Sequence, residues 1–317
     1  MVKKIKHNRI LVTGIGGPAG RSVVSYFREN GVHVIGTDIR KVEEKVESFY
    51  IIPPAYEPSF ATTLVDIIKR DRPSMLISTV TEELPVVSRL KKSIEGEGCH
   101  ALISPPTAID IANDKLKTTM IMAGNGIPVP VTFDEKTPRD YIIKELGFPL
   151  LSKPRFGRGG RGVIIYHRPE ELFQDTRTGI IFQEFIPGDE FDINLFIDQR
   201  GETQAAVVLK KTILKEGIVG NAFAVERVER DAITQLGIRI SQILRLEGPI
   251  DMDIRLRGDG TPVLLEINAR LGGNVLFARE VLDSLLTSWN MLLPIDISSS
   301  PLIKKGFPKI LEGRRNV

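Results

Sequence analysis

Between positions 9 and 104 the apolar residues fall into short β-branched blocks separated by amphipathic stretches. The blocks are RILVT (9–13), VHVIGT (32–37), SFYII (48–52), SMLIST (74–79) and HALIS (100–104). Between them AGRSVVSYFREN, FATTLVDIIKR and EELPVVSRLKKSIEG carry apolar residues at helical spacing. Such alternation predicts a parallel sheet covered by helices on both faces. SPPT (104–107) ends the rhythm. Asp110 to Gly124 then reads as one helix, closed by the connector GNGIPVP. After Gly147 the pattern changes. FPLLSKP, GVIIYH, GIIFQEFI, FDINLFID and TQAAVVLKKTIL are strand-like runs joined by short glycine-bearing loops, which predicts antiparallel sheets. DAITQLGIRISQILRL (231–246) and VLFAREVLDSLLTSWNMLL read as packed helices, and SSSPLIKKGFPKILEGRRNV as a polar surface wrap. No internal repeat or low-complexity segment is visible.

Composition narrows the classes. A chain of 317 residues exceeds one ordinary core, so two or three domains are expected. With 42% apolar and 26% charged residues it has the balance of a soluble globular protein. A net charge of +3, spread along the chain, gives no argument for nucleic acid. The single cysteine, Cys99, excludes an internal disulfide and suits a reducing cytoplasm. The basic start MVKKIKHNRILVTG leads into an apolar run fit for a first strand rather than a signal peptide, and no run reaches the ~20 residues of a membrane span.

Two glycine clusters stand out. VTGIGGPAG places Gly14, Gly17 and Gly20 between a strand and a helix, with Asp38 ending the next strand. This resembles the dinucleotide loop of short-chain dehydrogenases. That family also uses a Tyr followed four residues later by Lys. The five tyrosines here are followed at that offset by Asn30, Pro54, Phe60, Glu145 and Glu170. A tight strand-to-helix turn, or one touching an acidic substrate, is the better reading. The second cluster, LLSKPRFGRGGRGVIIYH, sets Gly157, Gly159, Gly160 and Gly162 between two strands, so it is no Walker loop. Arg155, Arg158 and Arg161 make it cationic, and Lys153 sits on the entering strand. A glycine-rich cationic flap suits polyphosphate.

GPIDMDIRLRGDGTPVLLEINARLGG (248–273) adds a hairpin. Asp259-Gly260 predicts a two-residue type I′ turn, and folding there pairs residues whose numbers sum to 519. Asp253 then faces Glu266, and Asp251 faces Asn268. Two carboxylates ~5 Å apart repel by about 3 kcal/mol at an effective dielectric near 20. Arg255 and Arg257 share that face and offer one way to neutralise it. In FQEFIPGDEFDINLF, Pro187-Gly188 ends a strand and leaves backbone groups of Glu184 and Ile186 free to read a purine edge, with Glu190 just beyond.

The order is Asp114-Lys115, the Lys153 flap, QEFIPGDE, Lys210-Lys211, Asp253, then EIN-x-R at 266–270. It resembles the ATP-grasp superfamily, and its carbamoyl-phosphate-synthetase-like branch in particular. The resemblance implies α/β plus α+β architecture: a Rossmann-like pre-ATP-grasp domain (1–106), a small lid subdomain (107–185) and a catalytic subdomain (186–317). It implies that Lys115, Lys153 and the flap glycines Gly157, Gly159 and Gly160 contact ATP phosphates. Glu184 and Ile186 would read adenine through their backbone, beside Gln183 and Phe185, and Glu190 would hold the ribose. Asp253, Glu266 and Asn268 would bind magnesium or manganese, which makes the facing acids tolerable. Arg270 would steady the phosphoryl group or tetrahedral intermediate, and Lys210 or Lys211 would meet the γ-phosphate. Asp251 is an extra acid with no assigned counterpart.

The expected function is an ATP- and magnesium-dependent, ADP-forming ligase that activates a carboxylate as an acylphosphate and joins it to an amine. Its partners would be small molecules in the cytoplasm, without nucleic acid or membrane, and a homodimer is compatible. A bicarbonate- or carbamate-phosphorylating enzyme is the alternative within the class. One grasp unit does not suffice for complete carbamoyl phosphate synthesis. An NAD-dependent oxidoreductase and a nucleotide-binding regulator without turnover are the readings from other classes.

Overall fold

The computed structural model describes residues 9–214 and 222–292. The polar tail and the first eight residues lie outside that range. The N-terminal blocks form β1 (Arg9–Thr13), α1 (Pro18–Glu29), β2 (His33–Asp38), β3 (Ser48–Ile51), α2 (Ser59–Asp71), β4 (Met75–Ile77), α3 (Leu84–Gly96) and β5 (His100–Ala101). Their strands make one parallel sheet in the order β3-β2-β1-β4-β5. β1 and β4 lie side by side at the point where the strand order reverses. In open α/β sheets that is where ligand crevices form.

The helix expected over Asp110–Gly124 is two helices, α4 (Pro106–Ala112) and α5 (Lys115–Gly124). Asp114 breaks it. Its carboxylate accepts from the amides of Leu116 and Lys117, the bonding of an N-cap, which starts a new helix rather than continuing the old one. Next come β6 (Thr132–Asp134), α6 (Arg139–Leu146), β7 (Leu150–Pro154), β8 (Ile164–Tyr166), α7 (Pro169–Phe173) and β9 (Ile180–Glu184). They build an antiparallel sheet ordered β6-β9-β7-β8. β6, α6 and α7 are too short to have shown a period in the sequence.

β10 (Glu190–Ile197), β11 (Thr203–Leu214), β12 (Ala222–Val228), α8 (Asp231–Leu244), β13 (Gly248–Leu256), β14 (Pro262–Asn268) and α9 (Arg279–Leu292) complete the chain. This second antiparallel sheet runs β12-β11-β10-β13-β14. β12 has no counterpart among the strands expected from sequence. Its AFAVERV alternates only weakly, and it pairs with the far end of β11.

The opening hairpin corrects one expectation and keeps another. The turn is not a two-residue type I′ turn. Gly260 N–H donates to the Arg257 carbonyl and Arg257 N–H to the Thr261 carbonyl, with Gly260 alone at positive φ (+84°). That is a three-residue loop closed by a glycine bulge. It pairs Leu256 with Pro262 and Ile254 with Leu264, sums of 518. A register shift between Asp253 and Ile254 then restores the pairs Asp253–Glu266 and Asp251–Asn268. The shorter register set by the turn and the one-residue shift at Asp253 cancel, so the expected acids face each other.

Three apolar cores follow. One joins the face of the parallel sheet bearing Leu11 and Leu76 to α8 and to Ile193 and Met252 of the β10–β14 sheet. Another joins the opposite face, with Ile10 and Val12, to α1 and α9. Trp289 of α9 is 1% exposed and hydrogen-bonds Ser74. The third is small and separate, made by Ile142, Leu150, Tyr166, Leu172, Ile180 and Phe182 of the β6–β9 unit. No described helix is long and apolar enough to cross a membrane.

Candidate functional site

The glycine turn after β1 is closed on itself. Ile15 N–H donates to Thr37 O, Gly17 N–H to Gly14 O, and Gly16 N–H to the Asp38 carboxylate at 2.9 Å. A Cβ on Gly20 would lie 2.2 Å from the Gly14 carbonyl, so glycine here serves strand-to-helix packing. The loop amides of Ile15, Gly16 and Gly17 are thus committed, and so is the acid a ribose would need.

The larger cleft lies between the two antiparallel sheets. It is lined from one end by Leu151, Lys153, Gln183, Glu184 and Ile186, and from the other by Asp251, Asn268 and Arg270. Strand alternation makes its floor. β10 carries Glu190, Asp192 and Asn194 on one face, and β13 carries Asp251, Asp253 and Arg255. β10 pairs with β13, and β13 with β14, so two rows of three form: Asp192–Asp253–Glu266 and Asn194–Asp251–Asn268.

The first row is matched by lysines. Lys211 Nζ lies 2.5 Å from Asp253, 2.7 Å from Glu190 and 2.9 Å from Asp192. Lys115 Nζ lies 3.4 Å from Glu266 and donates to Gly157 O at 2.6 Å, which ties α5 to the flap. Lys153 is buried and donates to the Leu265 carbonyl at 3.3 Å. Burial pushes its ammonium down to about 8. Burial works against the Lys211 ammonium too, yet the surrounding carboxylates hold it well above the usual lysine range. Burial raises Asp192, and it opposes the charge on Asp253 as well. Lys211 prevails at Asp253 and holds it below the ordinary range. Burial, helped by Asp253, pushes Asp251 up to about 7.

The structure separates the two lysines that sequence left open. Lys210 points the other way, to Asp189 at 2.6 Å. Arg255 and Arg257 do not neutralise the facing acids. Arg255 forms a two-nitrogen pair with Glu190 (3.0 and 2.8 Å), and Arg257 pairs with Glu184. Glu190 therefore has both oxygens in ion pairs, so a ribose would have to share them. The backbone at Pro187-Gly188 is also less free than expected. Glu184 N–H donates to Val131 O, and Ile186 O accepts from Arg255 at 2.8 Å. The Glu184 carbonyl and Ile186 amide are what remain of the four groups. Gln183 is buried and donates to Thr132 Oγ1, and Phe185 lies 5.9 Å from the Arg255 guanidinium.

In the flap, Gly157, Gly159, Gly160 and Gly162 all have positive φ. Its arginines differ from one another. Arg155 makes two 2.7 Å bonds to Asp114, which brace the flap against the start of α5. Arg158 reaches Glu82 of the N-terminal unit at 3.1 Å. Arg270 donates to Thr81 Oγ1 (3.0 Å), Leu271 O (2.7 Å) and Asn268 Oδ1 (3.0 Å). The Thr81–Glu82 turn thus meets both the flap and the last arginine of the EIN-x-R motif. Beside it Glu83 is 4% exposed and bonded to Thr13, and burial pushes its carboxyl up to about 7.

Among the described residues no group of three or more His, Cys, Asp or Glu side chains is placed to hold a metal alone. Asp253, Glu266 and Asn268 offer two carboxylates and an amide on one cleft wall. Such hard oxygen donors fit magnesium when phosphate oxygens complete its shell. Asp192 and Asn274 escaped the sequence reading, whereas Thr81 lies in STVTEELP (78–85), the stretch after the fourth strand expected to shape an acceptor pocket. Alternation in EFDIN marks Asp192 as sharing a face with Glu190, but only the β10–β13 pairing puts it against Asp253.

Comparison with known proteins agrees with this geometry. A family model described as an ATP-grasp domain matches residues 112–274, just over half the chain. The carbamoyl phosphate synthase large chain of Methanosarcina barkeri is 24% identical over 280 residues, covering 80% of this chain and 26% of that one. That of Xylella fastidiosa is 21% identical over 244 residues, covering 70% and 22%. The chain spans about a quarter of the length of these relatives. Among solved structures, an L-amino acid ligase from Bacillus licheniformis has a TM-score of 0.70 at 20% identity, covering 93% of this chain and 76% of that one. N5-carboxyaminoimidazole synthetase from Staphylococcus aureus, complexed with ADP, has a TM-score of 0.73 at 15% identity, covering 92% and 80%. With more than half its length inside that family match, and the flap, the paired acids and Arg270 on one cleft, the chain belongs to the ATP-grasp family.

Proposed function

We propose that the chain is an ATP-dependent, ADP-forming ligase joining a carboxylate to an amine, with residues 1–106, 107–185 and 186–317 acting as acceptor-binding, lid and catalytic units. What carries the reading is one cleft that brings buried Lys153 of the lid onto Asp253, Glu266 and Arg270 of the opposite sheet. Adenine would meet the Glu184 carbonyl and Ile186 amide beside Gln183 and Phe185, with Glu190 near the ribose. Lys115, Lys153 and the amides of Gly157, Gly159 and Gly160 would hold the phosphates. Asp253, Glu266 and Asn268 would hold magnesium or manganese, which would add positive charge at the phosphate oxygens.

Arg270 then holds the acceptor carboxylate with its oxygen toward the γ-phosphorus, while Lys211 keeps Asp253 ionised. That oxygen bonds to phosphorus as the bond to ADP breaks. An amine nitrogen next bonds to the acyl carbon, the bond to the phosphate oxygen breaks, and phosphate and a proton leave. Positioning and charge neutralisation suffice, with no covalent enzyme intermediate. The cytoplasm, rich in ATP, fits this chemistry.

A phosphate-release screen over pairs of acids and amines tests the activity, and carboxylate labelled with heavy oxygen tests the route. Singly labelled inorganic phosphate together with ADP supports the acylphosphate. Unlabelled phosphate, or label in AMP, sinks it. Phosphate release that needs only bicarbonate would instead favour the second reading, to which the carbamoyl phosphate synthase relatives lend support.

A further inference from the structure

The second row of the cleft floor is built differently from the first. Each carboxylate of the first row has a lysine within 3.4 Å: Lys211 for Asp192 and Asp253, Lys115 for Glu266. Asp251 has none. Its nearest cation is Arg270 at 3.9 Å, and Arg270 directs its hydrogen bonds to Thr81, Leu271 and Asn268 instead. Asn268 Nδ2 reaches Asp251 Oδ2 only at 3.5 Å. Asp251 is 7% exposed, and its Oδ1 has no hydrogen-bond partner. Across the β10–β13 pairing Asn194 is 1% exposed with an unpartnered Nδ2. A buried carboxylate oxygen without a donor costs free energy, and where that carboxylate lines a cleft a donor from outside the chain can recover it.

The surroundings say which donor. This end of the cleft is lined by Asp192, Asp251, Gly273, Asn274 and Pro18, with Arg270 at its border. Asn274 Nδ2 already serves Asp192 at 3.1 Å, and Lys211 is shared among three other acids. Among the described residues no side chain donates to Asp251 Oδ1, so an N–H donor is what would complete this row. Gly272 packs closely against Asp251, where a Cβ would lie 2.7 Å from Asp251 Oδ1 and 3.1 Å from Asn194 Oδ1, so a larger residue there would displace the carboxylate. Arg270, which under the proposed function holds the reacting carboxyl group, stands one side chain away.

We propose that Asp251 is the docking carboxylate for the nucleophile, and that the nucleophile is a primary amine bound through an N–H hydrogen bond to Asp251 beside the carboxyl group on Arg270. This rests on the ligase reading and names the class of its second substrate. Asp251 is thus a positioning and specificity residue rather than a ligand of the metal.

Ethylammonium chloride is the probe, with ligand-observed NMR on the full chain in the presence of magnesium and a non-hydrolysable ATP analogue. Tetramethylammonium carries the same charge without an N–H and serves as control. Ethylammonium should bind the native chain and tetramethylammonium should not. Asp251→Asn keeps the side chain's shape and should weaken ethylammonium about tenfold, the scale of one hydrogen bond to a charged group. Gly272→Ala leaves the charge intact and should weaken it through the Cβ contact. Equal binding by native chain and Asp251→Asn, absence of binding to the native chain, or equal binding of tetramethylammonium overturns the proposal. So does loss of magnesium affinity in Asp251→Asn, which would make the residue a metal ligand. The ligase reading is judged separately by carboxylate-dependent scrambling of heavy oxygen between bridge and non-bridge positions of ATP, which needs no amine.

Discussion

The two antiparallel sheets that face each other across the cleft are anchored in opposite ways. The β10–β14 sheet shares both large cores with the parallel N-terminal sheet, α8 and α9, so its acids stand on a deeply packed floor. The β6–β9 sheet has only its own small core. It is tied to the floor largely by polar links: Lys153 to the Leu265 carbonyl, Arg255 to the carbonyl of Ile186 just past β9, and Arg257 to Glu184. A separate small core with polar ties is what a cover needs in order to move as a unit, while a shared core holds charged groups in fixed register. Under the proposed function, the difference would leave chemistry to the floor and access to the lid.

The largest effect expected from breaking this division lies on the floor. Glu266→Gln keeps the shape of the side chain and removes one of two facing charges. Turnover should fall about 100-fold or more, the scale of a lost electrostatic contribution to a transition state. Folding should survive, because relief of like charge across the strand pair offsets the loss of the Lys115 ion pair. Thermal melting and phosphate release on the same preparation check both. Native-like turnover would move the reacting centre away from the β13–β14 pair.

Next come two aromatic truncations, one for each core. Trp289→Ala removes a side chain that is 1% exposed, stacked edge-on against Phe27 at 6.3 Å and bonded to Ser74. A loss of about 3–5 kcal/mol is expected, lowering the main melting transition. Phe182→Ala empties the lid core and the face on which Arg139 rests at 4.0 Å. It should speed hydrogen exchange in β7 and β9 and weaken ATP binding while the main transition stays in place. A single shared transition that moves equally for both variants would show the two sheets to be one cooperative unit.

The third prediction concerns the floor's edge with the N-terminal sheet. Glu83 is raised from an ordinary 4.5 to about 7, chiefly by burial and opposed by Thr13 and Arg158, with Glu82 and Asp38 adding repulsion. A carboxyl raised in the folded state stabilises the fold below its unfolded value. That contribution fades as pH rises from about 4.5 and is gone near 7. At roughly 1.4 kcal/mol per unit the swing is about 3 kcal/mol. Denaturant titrations at pH 5 and pH 8 should show it in the native chain and not in Glu83→Gln. An equal pH dependence in both would place the proton elsewhere.

Most of this organisation was legible in the sequence because it rests on local periodicity. RILVT and VHVIGT could only be buried strands, and EIN-x-R after an acidic strand could only bring Glu266 and Asn268 to one face. What stayed hidden depends on pairing partners far along the chain. Asp192 becomes part of the site only because β10 lies beside β13. Arg255 and Arg257 reach Glu190 and Glu184 across a junction that no spacing rule describes. Asp114 could have been seen as a cap, since Asp before a run of helix formers is a start signal. Its position inside an apolar periodic stretch masked it. The turn at Asp259-Gly260 misled for a related reason. Asp-Gly fits both a two-residue turn and a three-residue turn with a glycine bulge, and only the hydrogen bonds of Arg257 distinguish them.

The smallest effect should come from the tie that looks most like a lid latch. Arg257 pairs with both oxygens of Glu184, holding its carboxyl below the ordinary range, at the end of β9 where adenine is proposed to bind. The Arg257 side chain is 36% exposed, however, so solvent screens the pair and its worth is ~0–1 kcal/mol. Arg257→Ala should therefore leave the main melting transition unchanged. Because the lid's own core is small, losing even this much should shift the lid toward open forms. The apparent affinity for ATP falls by the fraction of closed lid lost, about two- to fivefold. The same loss should appear in the native chain when salt is raised, since screening weakens the pair in place, and Arg257→Ala should be less salt-sensitive. If the variant instead lowers turnover at saturating ATP with affinity intact, the pair acts on the floor's chemistry, and the division between fixed floor and movable lid fails at this seam.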